Sequence, residues 1–209
     1  MACKSPGPTS AQPISSNGPT ASKAACTYPS QLHSPSPQVN KAGRGASAPA
    51  LSAGDVPECS VDLRARGTAL PGVRDVLKAV SVREGWISSV LTGNIAANAR
   101  VKLSAFELDP LLDLSVGAYG EDAVQRPDLV AVARSRVHQL RGVRGVPVVL
   151  VGDTPRDVEA ALSTGSGIIA VASGIHSEEE LTAAEAPVVL PDLSDTAGLL
   201  EILAGFARW

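Results

Sequence analysis

The stretch Val148-Val149-Leu150-Val151-Gly152-Asp153-Thr154-Pro155-Arg156-Asp157 ends an apolar, β-branched run in Gly-Asp and sets a second Asp four residues later. Such a run reads as a buried strand of a parallel sheet, and sheets of that kind bind ligands beyond the carboxyl ends of their strands. Asp153 is therefore expected at a strand tip, beside a helix opened by Pro155. A carboxylate there can hold Mg²⁺, a hard ion that takes oxygen ligands and keeps several waters. Gly152 lets a neighbouring group approach the backbone closely. Asp157 lies one helical turn on and can face the same place. Two aspartates alone fit equally well a second reading, in which Asp153 caps the helix and Asp157 is solvated.

Two further positions suit an anion. Thr92-Gly93-Asn94 follows a short apolar strand (Trp86 to Leu91) and precedes a helix, so a hydroxyl and free amides converge where negative charge is welcome. Taken alone the tripeptide is a good turn, with Asn94 as N-cap. Arg126 stands at the start of another helix, where the macrodipole does not favour a cation. That misfit suggests a different task, such as neutralising a phosphoryl oxygen. Taken alone it is a surface arginine.

The elements that must position these residues alternate. Val73, Val76, Leu77 and Val80 have helical spacing, and Ile95, Ala99, Leu103 and Phe106 line one face of a second helix. Leu114 to Val116 is a brief candidate strand. Pro127 suits the first turn of a helix with Leu129, Val132, Ala133 and Val137 on its apolar face. After the strand ending at Val151 come a helix from Pro155, a strand over Gly167 to Ala172 and a helix start at Ser177-Glu178-Glu179-Glu180. A short strand over Val188 to Leu190 and a helix through Leu199, Leu200 and Leu203 close the chain. Strands alternating with helices predict an α/β fold with a parallel sheet covered on both faces.

Residues 1–56 differ in character. They are rich in Ser, Pro, Ala and Gly, lack apolar periodicity and carry prolines from Pro6 to Pro49. They are expected to be disordered, because they cannot bury enough surface to offset their ordering entropy. Residues 57–69 form a linker, and residues 70–206 form the folded core.

Several classes are disfavoured. The net charge of −3 gives no general attraction to nucleic acid, and aromatics at 3% leave little for stacking on bases. No apolar run reaches the roughly 18 residues of a membrane span, and Lys4 has no apolar stretch behind it that would make a secretory signal. Cys3, Cys26 and Cys59 lack zinc spacing, and their odd number argues against a disulfide framework. His33, His138 and His176 have no evident Ser or Cys partner for a hydrolase triad. A cytoplasmic protein without nucleic-acid or membrane partners is expected.

Thr92 after a strand, Arg126 beside Pro127, and Gly152-Asp153-x-x-x-Asp157 after a later strand form an ordered set that resembles the haloacid dehalogenase (HAD) superfamily of phosphatases. Leu70-Pro71-Gly72-Val73, Gly174 with Ser177 to Leu181, and Ala186 to Leu193 resemble its phosphoglycolate-phosphatase-like members. The resemblance covers roughly Leu70 to Leu203 and implies a Rossmann-like core and a small phosphorylated metabolite as partner. It implies that Thr92, Gly93, Asn94 and Arg126 bind phosphate, with Thr92 and Arg126 taking part in catalysis. Asp153 would ligate Mg²⁺, and Asp157 would ligate or orient it. Arg126 stands where the family usually has Lys, which keeps the charge and changes the geometry.

The family's reaction starts from an Asp-x-Asp motif at the end of a central first strand, whose first Asp attacks phosphorus to form an aspartyl-phosphate. No Asp-x-Asp occurs in this chain, and before Leu70 the acids are Asp55, Glu58 and Asp62. None follows an apolar strand, so no nucleophile is assigned. The expectation is a partial HAD-like core without its first central strand and cap, its N-terminal region lost or replaced. The two flanking strands would then pair directly, take in a segment near Val61, or leave the fold marginal. The implied function is a Mg²⁺-dependent phosphomonoester hydrolase, truncated and inactive as written. The alternative is a catalytically silent module that binds phosphate and Mg²⁺.

Overall fold

The computed structural model describes residues 67–206 together with the backbone of Ala24–Tyr28. In chain order its elements are β1 (Ala24–Tyr28), α1 (Val73–Ser81), β2 (Trp86–Val90), α2 (Ala96–Ala105), two 3-10 turns (Asp109–Leu111 and Leu114–Val116), α3 (Arg126–Arg141), β3 (Val148–Gly152), α4 (Pro155–Ser163), β4 (Gly167–Val171), α5 (Glu178–Ala183), β5 (Val189–Leu190) and α6 (Thr196–Phe206). The strands form one five-stranded parallel sheet in the order β2-β1-β3-β4-β5.

Period-two alternation divides the core into two layers. Val149, Val151, Ile169 and Val171 face α1, α2 and α6, meeting Val76, Leu77, Leu103, Leu199 and Leu203. Val148, Leu150, Ile168 and Ala170 face the other way, towards Leu129, Val130 and Val137 of α3, Val158 and Ala161 of α4, and Leu181 of α5. Every residue of β3 is buried, as a strand covered on both faces must be. The entry to the domain is fastened to its end. Gly72 caps α1 with φ 78°, and a Cβ there would stand 1.9 Å from the Leu193 carbonyl oxygen. Leu193 N donates to Pro71 O at 3.1 Å.

The central strand is the main departure from the sequence reading. β1 pairs with β2 over five residues and with β3 over three, so the slot expected to be empty is filled by Ala24–Tyr28. The expectation of disorder through residue 56 is corrected there. The physical reason is non-local. β2 and β3 each present an edge of unpaired backbone groups, and each such buried group costs about 1–3 kcal/mol. Ala24–Tyr28 falls in the proline-free window between Pro19 and Pro29, so all five residues can donate to a ladder. The expected disorder of residues 1–23 and 29–56 and most of the expected linker lie outside the described residues.

Two local expectations are also corrected. Leu114–Val116 is a 3-10 turn because Asp113 caps it, accepting from Ser115 N at 3.1 Å. The parallel bridge next to β2 comes later, between Leu91 and Ala118. Asn94 does not cap α2. Ile95 holds that position, and the Asn94 side chain turns to Thr92.

Candidate phosphate and metal site

Register places Thr92 and Asp153 at one height. Thr27 of β1 is level with Ser89 on β2 and with Leu150 on β3, and Thr92 and Asp153 each follow three residues later. They therefore leave the carboxyl end of the sheet on either side of β1, about 10 Å apart across two strand spacings. The chain after Tyr28 reads Pro29-Ser30-Gln31 and carries no acid before Asp55.

The structure removes the capping reading of Asp153. The N-cap of α4 is Thr154, whose Oγ1 accepts from Asp157 N at 3.3 Å and donates to Asp157 Oδ2 at 2.8 Å. Asp153 is left without a capping role. Its side chain is fully buried, and neither oxygen has a hydrogen-bond partner among the described residues. Burial first, and the Asp157 carboxylate second, push its pKa up to about 6. Its own amide, Arg126 and His176 act in the opposite direction and do not offset this.

Asp157 is likewise not solvated. It is buried, its Oδ2 is held by Thr154 N at 3.2 Å as well as by the Thr154 hydroxyl, and its Oδ1 lies 3.0 Å from Arg126 Nε. The cation at the start of α3 that looked misplaced in the sequence is thus ion-paired to an acid on the neighbouring helix. Gly152 makes the arrangement possible. A Cβ there would lie 2.4 Å from the Cβ of Asp157 and 2.5 Å from its Cγ.

The loop after β2 is ordered around the buried Thr92 hydroxyl. Asn94 donates to Thr92 Oγ1 twice, from its backbone N at 3.1 Å and from Nδ2 at 2.9 Å. Lys102 Nζ donates to Asn94 Oδ1 at 3.4 Å. Gly120 N donates to Asn94 O at 2.9 Å, and a Cβ on Gly120 would stand 2.1 Å from the Gly93 carbonyl oxygen. A clamp holds this second loop. Both terminal nitrogens of Arg136 donate to Asp122 at 2.7 Å, Arg136 also reaches the Gly117 carbonyl, and Tyr119 N donates to Asp122 Oδ2 at 2.9 Å.

The hydrogen bonds from Arg136 hold the Asp122 carboxyl below its usual range. A depressed folded-state pKa gives stability that is present above the unfolded value and lost as pH falls through the folded one. Asp122→Asn should therefore cost roughly 1.5–3 kcal/mol at pH 7, the range for charged hydrogen bonds. The gap to the parent should narrow steadily below pH 4. Thermal melts at pH 7 and pH 3 test this, and an equal deficit at both would remove the charge from the explanation.

Gly93 and Arg126 line a common cavity of about 580 Å³, together with Gly120 and Arg156. The donor set can be weighed against Mg²⁺. Asp153 offers two unpartnered oxygens, which suits the ion, whereas both oxygens of Asp157 are engaged. Among the described residues no group of three or more His, Cys, Asp or Glu is arranged to hold a metal. An ion here would keep waters or take ligand oxygens, as Mg²⁺ does. Sequence reasoning missed Thr154, Lys102 and the Arg136–Asp122 clamp. Thr154 had a signal, since Pro155 at the first helical position marks the residue before it as the cap. For Lys102 there was none, because its contact depends on the reach of a long side chain.

A HAD-hydrolase-like family profile matches residues 123–196. The chain is 32% identical over 144 residues to the probable phosphatase IndB of Dickeya dadantii, covering 67% of this chain and 59% of that protein. It therefore spans less than two thirds of that relative. Among solved structures, a haloacid dehalogenase-like family hydrolase from Streptococcus pneumoniae aligns with TM-score 0.53 and 18% identity, over 75% of this chain and 72% of that one. A predicted phosphoglycolate phosphatase from Haemophilus somnus aligns with TM-score 0.51 and 20% identity, over 63% and 56%. At these identities the structures speak for the fold alone. The fold is that of the haloacid dehalogenase-like superfamily, and the profile and the relative are similar to this chain over the residues given.

Proposed function

We propose that the carboxyl end of the sheet is a Mg²⁺-dependent site for a small phosphorylated metabolite, of the HAD phosphomonoester hydrolase type. The observation that supports this is Asp153, a fully buried carboxylate with both oxygens unpartnered among the described residues. An isolated buried carboxylate is costly and calls for a cation. Thr92 and the Gly93 amide would bind phosphoryl oxygens, with Arg126 supplying positive charge and Asn94, whose amides are turned to Thr92 Oγ1, holding the loop. Asp157 would orient Arg126, since its oxygens are engaged. Mg²⁺, held by Asp153, would neutralise charge on the phosphoryl group; such sites work mainly by positioning and charge.

Hydrolysis through an aspartyl-phosphate needs a carboxylate at the end of the central strand, and the sequence after Tyr28 supplies none. Asp55, Glu58 and Asp62 lie outside the described residues. That observation favours the second reading for the chain as written, a binding module that does not turn over. Calorimetric titration with inorganic phosphate, with and without Mg²⁺, tests the site. Phosphate should bind more tightly with Mg²⁺, and the Mg²⁺ effect should grow as pH rises through about 6, where Asp153 loses its proton. No binding to a chain that melts cooperatively would remove the proposal. Mg²⁺-dependent hydrolysis of an aryl phosphate, lost in Asp153→Asn, would overturn the silent reading and leave the phosphatase one.

A further inference from the structure

A hydroxyl has one proton to donate and two lone pairs that accept. Both acceptor positions of Thr92 Oγ1 are used by one residue, through Asn94 N at 3.1 Å and Asn94 Nδ2 at 2.9 Å. The side-chain amide of Asn94 could in principle turn over and present its oxygen to Thr92 instead. Lys102 prevents this. An ammonium group can only donate, and Lys102 Nζ faces Asn94 Oδ1 at 3.4 Å, so the amide nitrogen must point to Thr92. The direction of every hydrogen bond in this chain is set by the cation at its far end. Asn94 is also fixed through its backbone, where its carbonyl accepts from Gly120 N at 2.9 Å. The Thr92 hydroxyl is buried, and its proton is the one function left to it.

We propose that Lys102 and Asn94 are positioning residues that make the Thr92 hydroxyl a one-way donor, selecting an anionic oxygen acceptor at the end of β2. This rests on the reading of the site as a phosphate site, and adds a part to it that neither the motif residues nor the cavity supply. Without Lys102 the amide can flip, the Thr92 proton can turn inward to Asn94 Oδ1, and the site loses its donor while keeping its shape. The role is electrostatic and directional, so a group that donates from the same place should serve, and one that fills the same space without donating should not.

The test is inorganic phosphate binding, in Mg²⁺, to the full chain carrying Lys102→Met, Lys102→Arg, Thr92→Val or Lys102→Met with Thr92→Val. Lys102→Met should weaken phosphate binding about tenfold, the scale of one hydrogen bond to a charged group. Lys102→Arg should recover affinity to within about threefold of the parent, since guanidinium also only donates. Thr92→Val should lose about as much as Lys102→Met, and the double variant should lose no more than Thr92→Val alone, because both remove the same donor. A purely structural Lys102 would shift the melting temperature and leave phosphate affinity unchanged, which overturns the proposal. So do additive losses in the double variant. If the parent chain itself binds no phosphate, the reading of the site fails and takes this inference with it. If the parent binds and Lys102→Met binds equally well, the inference alone fails.

Discussion

Asp153→Asn is expected to make the metal-free protein more stable at neutral pH while abolishing its response to Mg²⁺. The carboxyl of Asp153 is buried without a hydrogen-bond partner among the described residues and titrates at about 6 in the folded chain. An unfolded aspartate titrates near ~3.9, so between these values the folded state holds the proton more tightly. Stability then falls as pH rises through that window and stays low above it. The shift of about two units sets the penalty on the order of 3 kcal/mol. Asparagine removes the charge but leaves a buried amide short of partners, at about 1–3 kcal/mol. The net gain is about 0–2 kcal/mol at pH 7.5, up to roughly 6 °C in Tm for a domain of this size. At pH 4, where the folded parent is protonated, the charge penalty is gone and the variant should be no more stable than the parent, and less stable by whatever the buried amide costs. Added Mg²⁺ should raise the Tm of the parent and not that of the variant. Thermal melts of both proteins at the two pH values, with and without Mg²⁺, make the comparison. A variant equally destabilised at both would mean that Asp153 has a protein partner and was never poised for a cation. In the proposed site, the stability lost at this carboxylate is what a bound cation would restore.

The parts of this fold that were legible in the sequence are those whose causes are local. β3 and β4 are short apolar runs bounded by turn residues, and both are buried strands. Ser177 and Glu180 close the capping box that their spacing implied. The order of Thr92, Arg126 and Asp153 along the chain was readable because each follows a strand or opens a helix. β1 was not readable, because nothing inside Ala24–Tyr28 announces a strand. Its place is set by the edges of β2 and β3, which lie at least 57 residues away in the chain. A composition argument over 56 residues averages across so short a window. Leu114–Val116 was misread for a related reason, since the apolar triplet suits a strand until the Asp113 side chain takes the amide of Ser115. In the site, Asp153 and Thr154 are both good cap types in succession, and Pro155 at the first helical position was the signal that the second caps and the first is left over. The pairing of Arg126 with Asp157 was hidden because it joins residues 31 apart on two different helices.

That pairing gives Gly152→Ala an effect far larger than one methyl group suggests. The added Cβ would stand 2.4 Å from Asp157 Cβ and 2.5 Å from its Cγ, so something must move. Residue 152 is the last of a fully buried strand paired to β4, which leaves the backbone little freedom. The Asp157 side chain must therefore leave its place. It would give up the reciprocal cap with Thr154, worth about 0.5–2 kcal/mol, and its ion pair with Arg126. Overpacking adds about 1–3 kcal/mol. A total of about 3–5 kcal/mol would consume much of a typical net stability of about 5–15 kcal/mol. The same displacement should release Arg126 and weaken phosphate binding. Denaturant unfolding of Gly152→Ala, Asp157→Gly and the double variant isolates the cause. If the collision with Asp157 is responsible, removing that side chain first should make Gly152→Ala nearly neutral, so the two changes will be strongly non-additive. Simple additivity would show that Gly152 is required by the strand itself and not by the acid folded over it. The distinction bears on how the Gly-Asp-x-x-x-Asp pattern works. In this chain the glycine serves the second aspartate, the second aspartate pairs with the arginine, and the first aspartate keeps both oxygens unengaged among the described residues.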